Sequence, residues 1–191
     1  MANRRWIKEN PDIGAEPVAT EPCTSPEFFA LEQERVFRRV WLNVGREEEI
    51  PQPGDYVVRE LPVANTSVLL VRGKDSRIRA FHNVCTHRGN RLVGGKEGSC
   101  KKLFVCRFHN WAFDVNGELK WVSDEANFYD IDRSKLGLRT ITADTWNGFV
   151  FINLDPDCAE TLPRYLAGLV DQIGGYSFEN QRLMCRYTVE E

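Results

Sequence analysis

Two short stretches constrain the fold of this chain more than any other feature. One is Val84-Cys85-Thr86-His87-Arg88-Gly89-Asn90, and the other is Val105-Cys106-Arg107-Phe108-His109-Asn110-Trp111. Each pairs a thiol with an imidazole, as Cys85-x-His87 and as Cys106-x-x-His109, with residues 88–105 between them. The chain has 3 histidines, and two of them fall in this pattern. Sulfur and imidazole donors at such spacing suit a metal. A site drawing on both stretches requires a fold that brings two separate loops face to face. Reading the four as unrelated polar residues requires a double coincidence.

The surrounding text is suited to that task. Segments 53–61, 66–73, 77–84, 101–108, 110–122 and 146–154 are short and rich in β-branched and aromatic residues, with Gly, Pro, Asn and Asp between them. Asn116-Gly117 is a hairpin signal, because a type I′ turn places both central residues at positive φ. Strands this short and closely spaced predict a mainly β fold, a small antiparallel β-barrel or sandwich, over 42–156. Helices are expected on both flanks. Residues 1–41 read as an arm, with Pro11, Pro17 and Pro22, followed by a helix over 26–40. Ser25 can cap that helix and Pro26 suits its first position, while Phe28, Leu31, Phe37 and Trp41 share a face. Residues 157–191 hold a second helix, stopped by Gly174-Gly175, and an alternating terminal stretch over 181–191 that reads as a strand.

Composition removes several broad classes. The net charge of −3 provides no overall basic field for nucleic acid. The first residues lack the apolar centre of a secretory signal, and the runs Val68–Val71 and Phe149–Ile152 are too short to cross a bilayer, so a cytoplasmic chain is expected. Its 6 cysteines, at 23, 85, 100, 106, 158 and 185, are scattered, which in a reducing compartment favours metal binding or free thiols over a disulfide framework.

Two metal readings of the mixed ligand set remain open. Zinc accepts two cysteines and two histidines, but its common modules pair Cys with Cys and His with His, so a zinc-binding interaction module is the weaker reading. A [2Fe-2S] cluster of Rieske type uses two histidines in place of two cysteines on one iron. If each loop gives its cysteine to one iron and its histidine to the other, the mixing within each half is explained. Replacing two thiolates by neutral imidazoles eases addition of an electron, and such clusters span about −150 to +300 mV against about −400 mV for plant-type ferredoxins.

Together, the stretch Asn83–Val93 and the stretch Val105–Leu119 resemble the Rieske domain of aromatic-ring-hydroxylating oxygenases, in the large (alpha) subunit. The similarity extends to the first helix, to Trp41–Tyr56, to Asp130–Leu138 and to Trp146–Leu154. The resemblance implies that Cys85, His87, Cys106 and His109 hold a [2Fe-2S] cluster, with Arg88 and Trp111 flanking it. Respiratory Rieske proteins carry a further cysteine in each loop; Asn90 and Phe108 occupy those neighbourhoods here. The family pattern has glycine after the second histidine, whereas this chain has Asn110, the residue other than glycine that best tolerates positive φ.

The same resemblance implies an oxidoreductase acting in breakdown of aromatic compounds, a ferredoxin or flavin reductase as electron donor, and an alpha-subunit trimer with or without a beta subunit. It also implies a mononuclear Fe(II) held by two histidines and a carboxylate in a following catalytic domain. Only His82 remains once the cluster ligands are assigned, so that centre is expected outside this chain, which then reads as an N-terminal piece of the subunit. A stand-alone Rieske ferredoxin is the alternative, disfavoured by the flanking helices. Lys101, Lys102 and Arg107 beside the second loop, with Arg88 and Arg91 beside the first, are candidates for steering an acidic partner.

Overall fold

The computed structural model describes residues 17, 19–173, 175–179, 181, 184, 185, 187 and 189. Two antiparallel sheets account for most of them. The first element is a helical segment: a short turn α1 (Glu21–Thr24), then α2 (Pro26–Glu32), which continues as a π-helical turn over Gln33–Phe37. Ser25 caps α2, its Oγ accepting the Phe28 amide at 3.2 Å. The helix stops short of the expected residue 40. Trp41, which fits the apolar helical face by spacing, instead opens the first strand.

The larger sheet contains β1 (Trp41–Arg46), β2 (Asp55–Leu61), β3 (Thr66–Arg72), β4 (Ile78–His82), β5 (Glu97–Ser99), β9 (Thr140–Trp146) and β10 (Phe149–Asn153), in the order β1-β10-β9-β4-β3-β2-β5. The smaller comprises β6 (Phe104–Val105), β7 (Ala112–Phe113) and β8 (Leu119–Trp121). All pairings are antiparallel.

The alternation of β3 shows why the larger sheet curls. Val68 and Leu70 join Val44, Ile50, Val57, Ala80, Ile141, Val150 and Ile152 on one face. Leu69 and Val71 join Val58, Phe81, Phe113, Leu119 and the two loop cysteines on the other. Because both faces are buried, the strand reads as an unbroken apolar run rather than as alternating polar and apolar residues. The first core fills the concave side, and the second joins the larger sheet to the smaller one. A third, smaller cluster sets Trp41 and Phe151 against Leu162 and Leu166, near the helical turns α3 (Leu162–Tyr165) and α4 (Ala167–Ile173). Helix α4 ends at Ile173, before the Gly174-Gly175 pair, of which Gly174 lies outside the described residues. Much of the expected terminal strand also lies outside them; positions 181, 184, 185, 187 and 189 are in no strand.

The β7–β8 hairpin forms where Asn116-Gly117 signals it, but with another turn. Only Gly117 has positive φ (83°), so the turn is not type I′. The Gly117 amide donates to Asp114 O at 2.9 Å and the Asp114 amide to Glu118 O at 3.0 Å, while Asp114 Oδ1 accepts from the Asn116 and Glu118 amides. This is a three-residue loop closed by a left-handed glycine. A Cβ at Gly117 would lie 2.4 Å from Cε1 of the buried Phe81, so the turn also presses on the core beneath the smaller sheet. Gly117→Ala is expected to lower the unfolding free energy by about 2 kcal/mol or more, combining overpacking with positive-φ strain. Denaturant unfolding of the two proteins measures it.

Candidate metal centre

The two stretches form loops that are close geometric copies. In the first, the Cys85 amide donates to Asn90 O at 2.8 Å and the Gly89 amide returns to Cys85 O at 3.0 Å. In the second, the Cys106 amide donates to Trp111 O at 2.8 Å and the Asn110 amide returns to Cys106 O at 2.9 Å. Both closures need a left-handed residue four positions after the cysteine; Gly89 supplies it at φ 70° and Asn110 at φ 56°. The asparagine therefore occupies the position equivalent to a glycine and keeps the loop shape, as its tolerance of positive φ allows.

Each loop is tied down by its neighbours. Asn83, only 1% exposed, donates to Val93 O and accepts the Val93 amide, both at 2.9 Å. This locks the two limbs of the first loop, whose base is closed by a bridge between Val84 and Arg91. The second loop joins β6 to β7. Across the gap, Asn90 Nδ2 approaches Cys106 Sγ at 3.7 Å, so Asn90 provides a noncovalent link between the loops.

With the loops opposed, like meets like. Cys85 and Cys106, each 1% exposed, sit close enough that each thiol alters the other's ionisation. The half-buried His87 and His109 rings sit 4.7 Å apart, centroid to centroid. Burial pushes the Cys85 thiol up to about 11. Burial also acts on Cys106, but the Phe108 and His109 amides, Cys85 and Asn90 donate to it and bring it below the usual thiol value. Cys106 is thus the sulfur better prepared to be a thiolate, the form that ligates metal. Burial, then His109 and Arg88, hold His87 below its ordinary value and keep it neutral at physiological pH, as a ligand must be.

His109 Nδ1 is buried with no hydrogen-bond partner. An unsatisfied buried nitrogen is uncommon and fits a position completed by a metal. Among the described residues no three His, Cys, Asp or Glu side chains converge on one ion position. A tetrahedral zinc needs four ligands around one ion, whereas two thiols beside each other and two imidazoles beside each other suit two metals with two protein ligands each.

Comparison with known proteins agrees. A family profile described as "Rieske [2Fe-2S] domain" matches residues 40–140. The chain belongs to the Rieske [2Fe-2S] domain family. A carnitine monooxygenase oxygenase subunit of Escherichia coli K12 is 39% identical over 146 residues, 76% of this chain and 38% of that protein. A solved quaternary ammonium Rieske monooxygenase in complex with L-carnitine superposes with a TM-score of 0.79 at 31% identity, covering 87% of this chain and 47% of that one. Naphthalene 1,2-dioxygenase from Rhodococcus superposes with a TM-score of 0.74 at 30% identity, covering 80% and 34%. This chain therefore spans less than half the length of these relatives. They include oxygenases of quaternary amines as well as of aromatics, so the resemblance to aromatic-ring hydroxylases alone was too narrow.

The other expected site residues of this Rieske domain are distributed as follows. Trp111 stacks on His87 at 4.6 Å and 9°, with its Nε1 buried and unpartnered. Arg88, Lys101, Lys102 and Arg107 are exposed and have no ion pair among the described residues. Arg91, by contrast, is tied to Glu60. No described helix is long and apolar enough to cross a membrane. Sequence reasoning left Asn83 and Thr86 unassigned, since their roles arise from partners far along the chain.

His82 is structural: its Nδ1 lies 3.2 Å from Thr66 Oγ1. Burial first, then Arg139 and Arg38, hold its imidazole below the ordinary value. A depressed histidine opposes protonation in the folded state, so its stability contribution is complete above about pH 6.5 and declines as pH falls below that value. The loss of unfolding free energy between about pH 7.5 and about pH 5.5 is expected to be smaller in His82→Gln than in the parent, as denaturant titrations at the two pH values would show. At the second loop, Asn110→Gly should leave the thermal midpoint and bound iron unchanged. Asn110→Val, forcing a β-branched residue to φ 56°, should cost about 1–3 kcal/mol and lower the iron content; calorimetry and metal analysis test the pair.

Proposed function

We propose that this chain is the electron-transfer module of a Rieske non-heme iron oxygenase. Cys85 and Cys106 would hold one iron of the [2Fe-2S] cluster, and His87 and His109 the other. The observation carrying this reading is the pairing of thiol with thiol and imidazole with imidazole across two loops of the same shape. Bound there, the cluster supplies one-electron redox chemistry at moderate potential, about −150 to +300 mV. The residues around it bury the sulfurs, keep His87 neutral and exclude water from the thiol side of the site. Residues 42–156 would be the cluster domain, preceded by an arm and helix over 1–41, with residues 157–191 opening a further domain.

Electrons would come from a ferredoxin or flavin reductase and go to a mononuclear iron held outside this chain. Two of its 3 histidines are committed to the cluster and His82 to Thr66, so a two-histidine, one-carboxylate centre cannot be assembled from it. Relatives that act on carnitine and on naphthalene share the cluster region, so the oxidised substrate would be selected elsewhere in the parent protein. The exposed cations Arg88, Lys101, Lys102 and Arg107, without an ion pair among the described residues, suit an acidic donor; an assembly of alpha subunits and a cytoplasmic setting complete the reading.

Iron, acid-labile sulfide and zinc analysis of the purified chain, with EPR of the dithionite-reduced protein, tests it. About two irons and about two sulfides per chain are expected, with loss of the signal in Cys106→Ala and His87→Ala. Stoichiometric zinc without sulfide would overturn it in favour of a zinc-bound module.

A further inference from the structure

His87 and His109 have unlike surroundings. His109 lies against Phe108, ring centroids 3.8 Å apart, and Phe108 is 58% exposed. His87 is enclosed. Trp111 stacks flat on it, and Phe128 approaches it at 5.8 Å and 73° while meeting Trp111 at 5.8 Å and 65°. Phe128 belongs to neither cysteine loop. It comes from the segment 124–136, between β8 and β9, which contains no strand and only two single 3₁₀ turns, Glu125–Asn127 and Arg133–Lys135.

A segment without ladder hydrogen bonds needs other anchors, and this one has three. Thr86 Oγ1, between Cys85 and His87, donates to Leu136 O at 2.6 Å. Arg133 grips Glu125, Nε to Oε1 at 2.9 Å, and donates through Nη1 to Lys120 O at 3.0 Å, tying the segment to β8. Just beyond it, the Leu138 amide donates to Gly117 O at 2.7 Å, at the hairpin turn. Phe128, Ile131 and Leu136 pack inward on the core that contains both cysteines, while the neighbouring Tyr129 is fully exposed. Asp124 and Asp130, at φ 52° and 48°, turn the chain on either side of Phe128.

We infer that the segment 124–136 is a third wall of the cluster site, and that Phe128 is a positioning residue which fixes the plane of His87 with Trp111 and shuts water from that side. The inference rests on the proposed ligand set. With two thiolates, two sulfides and two neutral imidazoles, the all-ferric centre is neutral, and accepting one electron gives it one negative charge. Water stabilises the charged state more than the neutral one, so a dry wall holds the potential down. Opening the wall raises the potential, and it admits competing ligands to the imidazole side.

The test uses the full chain with its cluster bound, in the parent, Phe128→Ala, Phe128→Leu and Thr86→Val. Iron and sulfide are assayed first. Midpoint potential is then followed by circular dichroism during titration with dithionite, which supplies the single electron, and cluster loss is timed in excess EDTA. Phe128→Ala is expected to keep its iron and sulfide, to show a more positive midpoint and to lose the cluster severalfold faster. Phe128→Leu, which retains apolar bulk, should lie between Ala and the parent. A fully loaded Phe128→Ala protein with the parent's midpoint and loss rate overturns the wall while leaving the proposed ligand set intact. Should Phe128→Ala not retain the cluster, Thr86→Val decides: it releases the Leu136 clasp at nearly constant volume, a raised midpoint supports the inference, and an unchanged one overturns it. A parent protein without iron and sulfide overturns this inference and the proposed function together.

Discussion

A hydrogen bond from a cysteine amide to the carbonyl five residues on shapes everything around the centre. It occurs at Cys85 and again at Cys106, and in each case the return bond reaches the same cysteine's carbonyl from a residue at positive φ. A short loop closed in both directions leaves its side chains few places to point. The cysteine is held inward and the histidine is carried to the rim. Two copies set against each other then place sulfur by sulfur and ring by ring. Three features of the structure serve this closure: the buried Asn83 bracing the first loop, Asn90 reaching across to Cys106, and a core continuous from Leu69 to both cysteines.

The electrostatics follow from the same placement. Burying two thiols together discourages either from ionising, yet the amides of the second loop point at Cys106 and offset that cost. The first loop likewise directs two amides, of His87 and Arg88, at Cys85, but no described side chain donates to that sulfur as Asn90 does to Cys106, and its proton is held more firmly. His87, farther out, remains neutral because a cation there would face burial, the second imidazole and Arg88. A site that is apolar beneath and half open above, with an unsatisfied imidazole nitrogen at its rim, stores little favourable interaction of its own. Its geometry is maintained by the surrounding sheets, and a bound metal group would complete it.

How legible was this in the sequence? The paired thiol–imidazole pattern proposed as the ligand set, the short antiparallel strands and the substitution of Asn110 for glycine could be read directly, because each depends on local spacing or on one residue's backbone preference. Strands β1, β5 and β9 and the end of the first helix could not. Trp41 fits an apolar helical face by spacing, but its burial against Phe151 and Leu162 assigns it to a strand. Asn116-Gly117 marked the correct turn and the wrong turn type, since Asp114 offers the backbone a competing set of hydrogen bonds.

The sequence alone determined the metal chemistry: donor types and their spacing are covalent facts, and two thiols with two imidazoles limit which metals can bind. Through the histidine count it also limited this chain: with two histidines assigned to the proposed cluster, too few remain for an iron centre of the two-histidine kind. Only the tertiary structure decided how the two histidines differ. Phe128 is 41 positions after His87, and its approach depends on Thr86, Lys120 and Gly117, which anchor the segment that carries it. Contacts of that range have no local signature, because they are set by how the sheets stack.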